Sequence, residues 1–512
     1  MPPFRTASFW IKAGLAAGLI GAANLLLYDY PMGAGTAAFG LAVVVAALFA
    51  HAPLRRPGLG RWAVFDAAVF AALQIERASL LGFLMFVVAV GIAVLAPRAS
   101  SSDDAWRWAQ RLAMAALKAV IGPLKDLQRF LKVRARKPTW RIATLLLAAV
   151  MPVAGGVIFL SLFLVANPIL SQAVDGLRIP NLDLGRLVFS GAIAGAAWAV
   201  LRPRGLRRGL QRRLGPGGLD LPGVTVASVT ASLVVFNAVF ALQNGLDIAF
   251  LWSGAPLPKG VTLADYAHRG AYPLIFTALL AGLFVLVFLK PGSQTAARPW
   301  PRFLVTAWVA QNLLLVASTA LRTLDYIQAY SLTVLRIAAL AWIALVAVGL
   351  ALICWRLLRA KSASWLINAN VLAAGLVLTA CIVVDLGSVA AAWNVRHARE
   401  VGGGGEPLDL CYMRALGGSA VVALAELEQR PLSVEFRQRV GNVREASIDR
   451  LLASRVTWRG WTWRDTRRLA RVRALTGALP PYRWDGLPRD YCGAPAPMAA
   501  TPPLTAPSQP RT

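Results

Sequence analysis

Long apolar runs separated by short polar loops set the pattern of this chain. Runs of spanning or near-spanning length lie near 11–28, 34–50, 62–75, 79–97, 141–166, 185–201, 224–251, 271–290, 303–321, 333–355 and 365–391. An α-helix rises about 1.5 Å per residue, so about 20 apolar residues cross the hydrocarbon layer. The pattern predicts an all-α fold, a polytopic transmembrane helix bundle of about eleven spans with a small helical extracytoplasmic tail at its C-terminal end. The third run is short and carries Asp66, which leaves a re-entrant segment open there. At the N-terminus Arg5 and Lys12 precede the apolar run Ala13 to Leu27, the layout of a signal peptide. A second apolar run follows with no convincing cleavage site between, so an uncleaved first span is expected.

Orientation follows from the basic residues of the short loops. With a cytoplasmic N-terminus, the inside loops hold Arg55, Arg56 and Arg61, then Arg202, Arg204, Arg207, Arg208, Arg212 and Arg213, then Lys290, Arg298 and Arg302, then Arg356, Arg359 and Lys361. The outside loops, Tyr28-Asp29-Tyr30 and 167–186, are poor in net positive charge. An odd span count then places everything after about residue 392 outside, in the periplasm of a cell whose inner membrane holds the bundle.

Domain organisation reads as spans one to four over 1–97, a basic amphipathic cytoplasmic segment over 98–140, spans five to eleven over 141–392, a periplasmic helical tail over 393–493 and a disordered Pro-rich end over 494–512. In the cytoplasmic segment Asp103 and Asp104 supply helix-capping groups. Arg107, Arg111 and Lys118 share one face opposite Leu112, Ala116 and Val120, and Gly122-Pro123 is expected to interrupt the helix. Such a segment lies in the membrane interface or docks a protein partner. In the tail a glycine hinge is expected at Gly402 to Gly405, followed by helices near 411–429, 432–453 and 455–475. Small-residue pairs Gly14/Gly18 and Gly191/Gly195 signal close helix contact.

Composition narrows the function classes. The chain is 57% hydrophobic and 15% charged with a net charge of +29. The cations sit in short blocks between apolar spans, where they face anionic lipid, which argues against nucleic acid as a partner. The partners expected are the bilayer and a protein at 98–140 or at the tail. Histidines occur only at His51, His268 and His397, and no cysteine or histidine cluster has metal-ligand spacing, so neither a metal nor a cofactor site is expected. Cys354 and Cys381 fall within apolar spans. Cys411 and Cys492 bracket the tail, and in an oxidising compartment they are either bridged or two free thiols.

Several short motifs stand out: Phe240-Ala241-Leu242-Gln243-Asn244-Gly245-Leu246-Asp247, Tyr266-Ala267-His268-Arg269-Gly270-Ala271-Tyr272, Leu324-Asp325-Tyr326 through Leu335-Arg336, Trp393-Asn394-Val395-Arg396 and Leu408-Asp409-Leu410-Cys411-Tyr412-Met413. Together they resemble the bacterial multi-pass membrane family catalogued as domain of unknown function 4173, over roughly residues 220–430. The resemblance implies a polytopic inner-membrane protein with an extracytoplasmic tail and no defined activity.

Polar and ionisable residues inside spans are costly and mark candidate sites. Asn237 and Asn244 lie seven residues apart on one helix face with Asp247 beyond them, while Gln311, Ser318 and Arg322 form a stripe that Asp325 extends. On the topology above Asn244, Asp247, His268, Arg269, Arg322, Asp325, Arg336 and Asp385 gather at the outer end of the bundle. Two readings stay open. In one, an outward pocket uses Arg269, Arg322 or Arg336 against an anionic group, with Asp247, Asp325 or Asp385 as countercharge or proton carrier. In the other, Arg322 and Asp325 pair locally at i and i+3, and the amides only hold helices together. The chain lacks GxSxG, HExxH and Walker A motifs. A membrane sensor or scaffold, a transporter or lipid-handling permease, and an enzyme on a lipid-linked substrate are the competing functions, the first two nearly level and the enzyme well behind.

Overall fold

The computed structural model describes residues 6–99, 103–134, 183–203, 225–253, 298–359 and 361–477, with the single positions 280, 490 and 492. Among these residues every regular element is helical. The helices are α1 (Thr6–Leu26), α2 (Ala34–Ala50), α3 (Leu59–Glu76), α4 (Leu80–Leu95), α5 (Ala105–Arg134), α6 (Leu184–Leu201), α7 (Val226–Asp247), α8 (Pro299–Tyr330), α9 (Val334–Leu358), α10 (Ala363–Val383), α11 (Leu386–His397), α12 (Leu410–Leu416), α13 (Val421–Glu428), α14 (Val434–Ser454) and α15 (Trp463–Thr476). Among the described residues six stretches are long and apolar enough to cross a membrane: Phe9–Leu26, Leu80–Arg98, Val226–Trp252, Pro299–Tyr330, Val334–Leu358 and Ala363–Val383. The protein is membrane-embedded. The expected spans at 141–166 and 271–290 lie outside the described residues, save Leu280.

Polar contacts at the helix termini define two ends of the bundle. At one end, Tyr28 after α1 donates to Asp183 before α6 at 2.7 Å, the Ala34 N–H opening α2 donates to the Trp461 carbonyl at 2.9 Å, and Arg77 after α3 donates to the Val384 carbonyl after α10 at 2.9 Å. At the other end, His51 after α2 meets the Val200 carbonyl of α6 at 2.9 Å, and Arg302 of α8 reaches the Leu358 carbonyl closing α9 at 3.4 Å. There too Asp104, just before α5, accepts from Ser364 at the start of α10 at 2.8 Å. The helices α1 to α4 therefore run alternately up and down, as do α8 to α10. The tail sits at the first end and the start of α5 at the second.

Two apolar cores hold the bundle. One gathers Leu19, Phe39, Val43, Phe86, Val90 and Trp198 from α1, α2, α4 and α6; the other gathers Leu233, Val305, Trp308, Val309, Ile343 and Leu350 from α7, α8 and α9. The tail has its own core, in which Met413, Leu424, Leu427, Val440 and Val443 are completely buried. Asn394 of α11 joins the tail to the bundle, bonding the N–H and carbonyl of Leu332 at 2.7 and 3.0 Å. This secures the α8–α9 turn, where Ser331 adopts a φ of 71°.

Several sequence expectations are corrected. The third run forms an uninterrupted helix, α3, with Asp66 exposed rather than a broken segment. The helix α5 continues through Gly122-Pro123, because packing along α6 holds both halves in line. Arg111 is not on a solvent face: it is 6% exposed and paired with Asp103 at 2.6 Å. The expected eleventh span ends at Val383, and Asp385 stands before the separate helix α11. The Gly402–Gly405 segment is a closed turn instead of a hinge. Gly402 has a φ of 79°, and the Gly403 and Gly405 N–H groups return to the Ala398 and His397 carbonyls. In the tail, the expected helix at 411–429 divides into α12 and α13 at Gly417 (φ 55°), and the last begins at Trp463 rather than 455. Gly14 and Gly18 face no neighbouring atom among the described residues, whereas Gly195 meets α5 at Ala119.

Candidate functional site

The polar residues that the sequence singles out divide among three places. The first is a seam between α7 and α8. Asn237 donates to the Leu304 carbonyl at 3.0 Å and accepts from Gln311 at 3.0 Å; Asn244 donates to the Gln311 carbonyl at 3.1 Å; Trp252 donates to Ser318 at 3.0 Å. Partner numbers rise together along α7, the turn after it and α8 at steps of seven or eight, so α7 and α8 run parallel with side chains interlocking. At the tail-side part of this seam Arg322 pairs with Asp247, which also accepts from Gln243 at 2.9 Å. Asp247 is 0% and Arg322 4% exposed. Arg322 thus binds across helices and not with Asp325, which is half-buried on the same helix. Charges so buried need compensation, and the countercharge and the Gln243 hydrogen bond contribute to it here.

The second place is the α8–α9 turn. Arg336 donates to the Tyr330 carbonyl at 2.6 Å and to that of Ser331, and its guanidinium lies 4.3 Å from the centre of the Tyr326 ring. Its role here is to cap carbonyls at the end of α8. His268 and Arg269 lie outside the described residues.

The third place surrounds Asp385, where the tail meets the bundle. Asp385 pairs with Arg468 of α15, lies 3.9 Å from Arg77, and accepts from Ser388 and, at 3.1 Å, from Ser419. Burial pushes its carboxyl up, but Arg468, Ser388 and Arg77 outweigh that and hold it down at about 2. Arg77 is itself pushed down by burial, with Asp385 opposing. Beside this pair, Glu76 at the end of α3 receives Arg464 at 3.2 Å and Arg467. Arg464 also donates to the Val383 carbonyl closing α10 at 2.8 Å. The junction is completed by a close backbone approach. A Cβ on Gly33 would stand 2.6 Å from the backbone of Gly460, and Arg459 lies 4.3 Å from the centre of the Tyr30 ring.

Cys411 and Cys492 form a disulfide with a Cα–Cα separation of 4.4 Å. Within the tail, burial raises the Glu428 carboxyl even though Arg444 donates to it at 2.9 Å. No group of potential metal ligands occurs among the described residues.

The junction residues Glu76, Arg77, Arg467 and Arg468 were not among the sequence candidates. One signal was available: Arg464, Arg467, Arg468 and Arg471 fall at i, i+3, i+4 and i+7, on one face of a helix. Their carboxylate partners lie far away in sequence, which no local pattern reveals.

No curated protein and no solved structure matches the chain. The resemblance to domain of unknown function 4173 is overturned, because the family whose model matches is a different one. The described ones among the misleading motifs are short polar and aromatic clusters near helix ends, chemistry that any helix bundle in a membrane needs there. The match also begins well before residue 220, within α3, and ends within α13 of the tail. Over residues 62–427, more than half its length, the chain matches the family described as Domain of unknown function (DUF4153), and it belongs to that family.

Proposed function

We propose that this protein is a sensor or scaffold of a bacterial inner membrane, crossing it about eleven times, with the N-terminus and α5 in the cytoplasm and the tail in the periplasm. The positive loops support this orientation: Arg55, Arg56, Arg202, Arg302 and Arg359 all belong to the end opposite the tail. The eleven crossings comprise α1 to α4, α6 to α10 and one in each of the stretches 135–182 and 254–297. Each of these two stretches joins helix termini at opposite ends of the bundle.

The observation that carries the reading is the position of α10. Its last turn is held by Arg77 and by Arg464 of the tail. Its first turns are held at the start of α5, where Asp104 accepts from Ser364 and Asn368 accepts the Ala105 N–H at 2.8 Å. One helix of 21 residues, about 30 Å long, thereby touches both exposed modules. Rigid elements of this length carry coupling between distant sites. The test is hydrogen exchange on the full chain in nanodiscs. The Glu76→Gln/Asp385→Asn variant should lose protection at 458–464 and also at 103–112. Lost protection at the first segment alone would contradict signal passage through α10.

A second reading, a transporter or lipid-handling permease, is favoured by the buried Asp247–Arg322 pair within the spans. Here the seam would release its ion pair as substrate or a proton passes. Uptake in vesicles that vanishes in Asp247→Asn, with the tail still docked, would support this reading over the first.

A further inference from the structure

The junction between tail and bundle contains an open cleft of about 430 Å³, lined by Arg464, Arg467, Arg468 and Arg471, by Asp385 and Ser388 at its floor, and by Val383 and Val422 on its apolar side. The four arginines do unequal work. Arg464 and Arg468 are 15% and 13% exposed and are committed to Glu76, Asp385 and Asp465. Arg467 and Arg471 are 59% and 61% exposed and form the rim. Arg467 shares Glu76 with Arg464, and Arg471 lies 3.8 Å from a half-exposed Glu426. The Arg471–Glu426 pair, exposed on both sides, is weak in water. Each guanidinium carries five N–H donors, so most of the donor capacity at the rim is uncommitted. At i and i+4 the two rim arginines stand about 5–6 Å apart at Cβ, a spacing that lets both forks close on one phosphate. With Arg77, five guanidinium groups meet four carboxylates, Glu76, Asp385, Asp465 and Glu426, which leaves the cleft positive. Next to it Val383, Val384, Val389 and Trp463 are 50%, 44%, 45% and 52% exposed, an apolar surface where α10 leaves the spans.

We propose that this cleft binds a phosphate-bearing headgroup, with Arg467 and Arg471 clamping the phosphate and the valines at the end of α10 receiving the apolar part. This rests on the docked tail of the reading above. Two sources share the chemistry, a phospholipid of the outer leaflet and a soluble phosphorylated compound.

The experiment uses the full chain in a neutral maltoside detergent, titrated separately with short-chain phosphatidylglycerol and with inorganic phosphate. Binding is followed by native mass spectrometry, and tail docking by exchange protection at 458–464. Saturable phosphatidylglycerol binding, weakened at least about tenfold in Arg467→Gln/Arg471→Gln, supports the site with a lipid source. Binding of phosphate alone, weakened by the same variant, supports it with a soluble source. Binding of neither, or binding indifferent to the variant while protection persists, overturns the site. Should the double variant misfold, Arg471→Gln alone decides, since its one weak pair contributes little to folding. Loss of protection at 458–464 in the unmodified protein would instead overturn the docked tail.

Discussion

Removing the carboxylate of Asp247 takes away the countercharge that Arg322, 4% exposed, meets across the α7–α8 seam. The penalty follows from the pair's burial. Breaking a buried ion pair from one side costs about 3–5 kcal/mol, because the remaining charge keeps its desolvation cost and loses its attraction. Gln243 loses its acceptor as well, at about 1 kcal/mol. Together, at 1.36 kcal/mol per tenfold, these should shift the folding equilibrium of Asp247→Ala by between about a thousandfold and a few ten-thousandfold. Replacing both partners, Asp247→Leu with Arg322→Met, removes both charges together and should recover stability to within about 1–2 kcal/mol of the parent. The assay is equilibrium unfolding in mixed micelles of the two single variants and the pair, as a double-mutant cycle. Additive effects, or a single variant as stable as the parent, would refute the pairing.

Other predictions concern the tail. Asp385 is held down at about 2 against an ordinary value of 3.8, so its contribution is fully present above pH 4 and is lost as pH falls through about 2. It amounts to at most about 2 kcal/mol after solvent screening. Proteolytic release of the tail should therefore rise over that window, and Asp385→Asn should abolish the dependence. Gly460→Ala should undock the tail, because the new Cβ collides with the Ser454 carbonyl and stands 2.6 Å from Pro31. Gly14→Ala, in open space, should be silent in the same protease assay. The Cys411–Cys492 bridge joins residues 81 apart, which stabilises by about 4 kcal/mol through the unfolded state. Alkylation of denatured, unreduced protein should modify only Cys354 and Cys381, and reduction should lower the melting temperature.

Much of the bundle was readable from local pattern. Apolar runs found the long helices because lipid demands a continuous apolar surface, and this requirement leaves its mark residue by residue. The α7–α8 seam was readable for a related reason: Asn237 and Asn244, like Gln311 and Ser318, are seven apart and so share a face. Their partners across the seam were not, since side-chain pairing between α7 and α8 depends on register. Asp385 shows the limit most clearly. Its sequence neighbours Val383, Val384 and Leu386 are apolar, so it reads as a charge buried in a span. The helix in fact stops at Val383, and Asp385 meets Arg468, 83 residues away. The Gly33–Gly460 approach is invisible for the same reason, as each glycine alone is only a loop residue. Pro123 misled in the opposite direction, where tertiary packing outweighed a local helix breaker.

The central claim is that the tail and α5 occupy opposite faces of the membrane. With Cys354 and Cys381 replaced by serine, single exposed cysteines would be placed at Glu435 in the tail and at Ala109 in α5. They would then be treated with a membrane-impermeant maleimide in spheroplasts and in inverted vesicles. Labelling at Glu435→Cys only in spheroplasts, and at Ala109→Cys only in inverted vesicles, is the predicted result. Labelling of both positions from the same side would contradict the account.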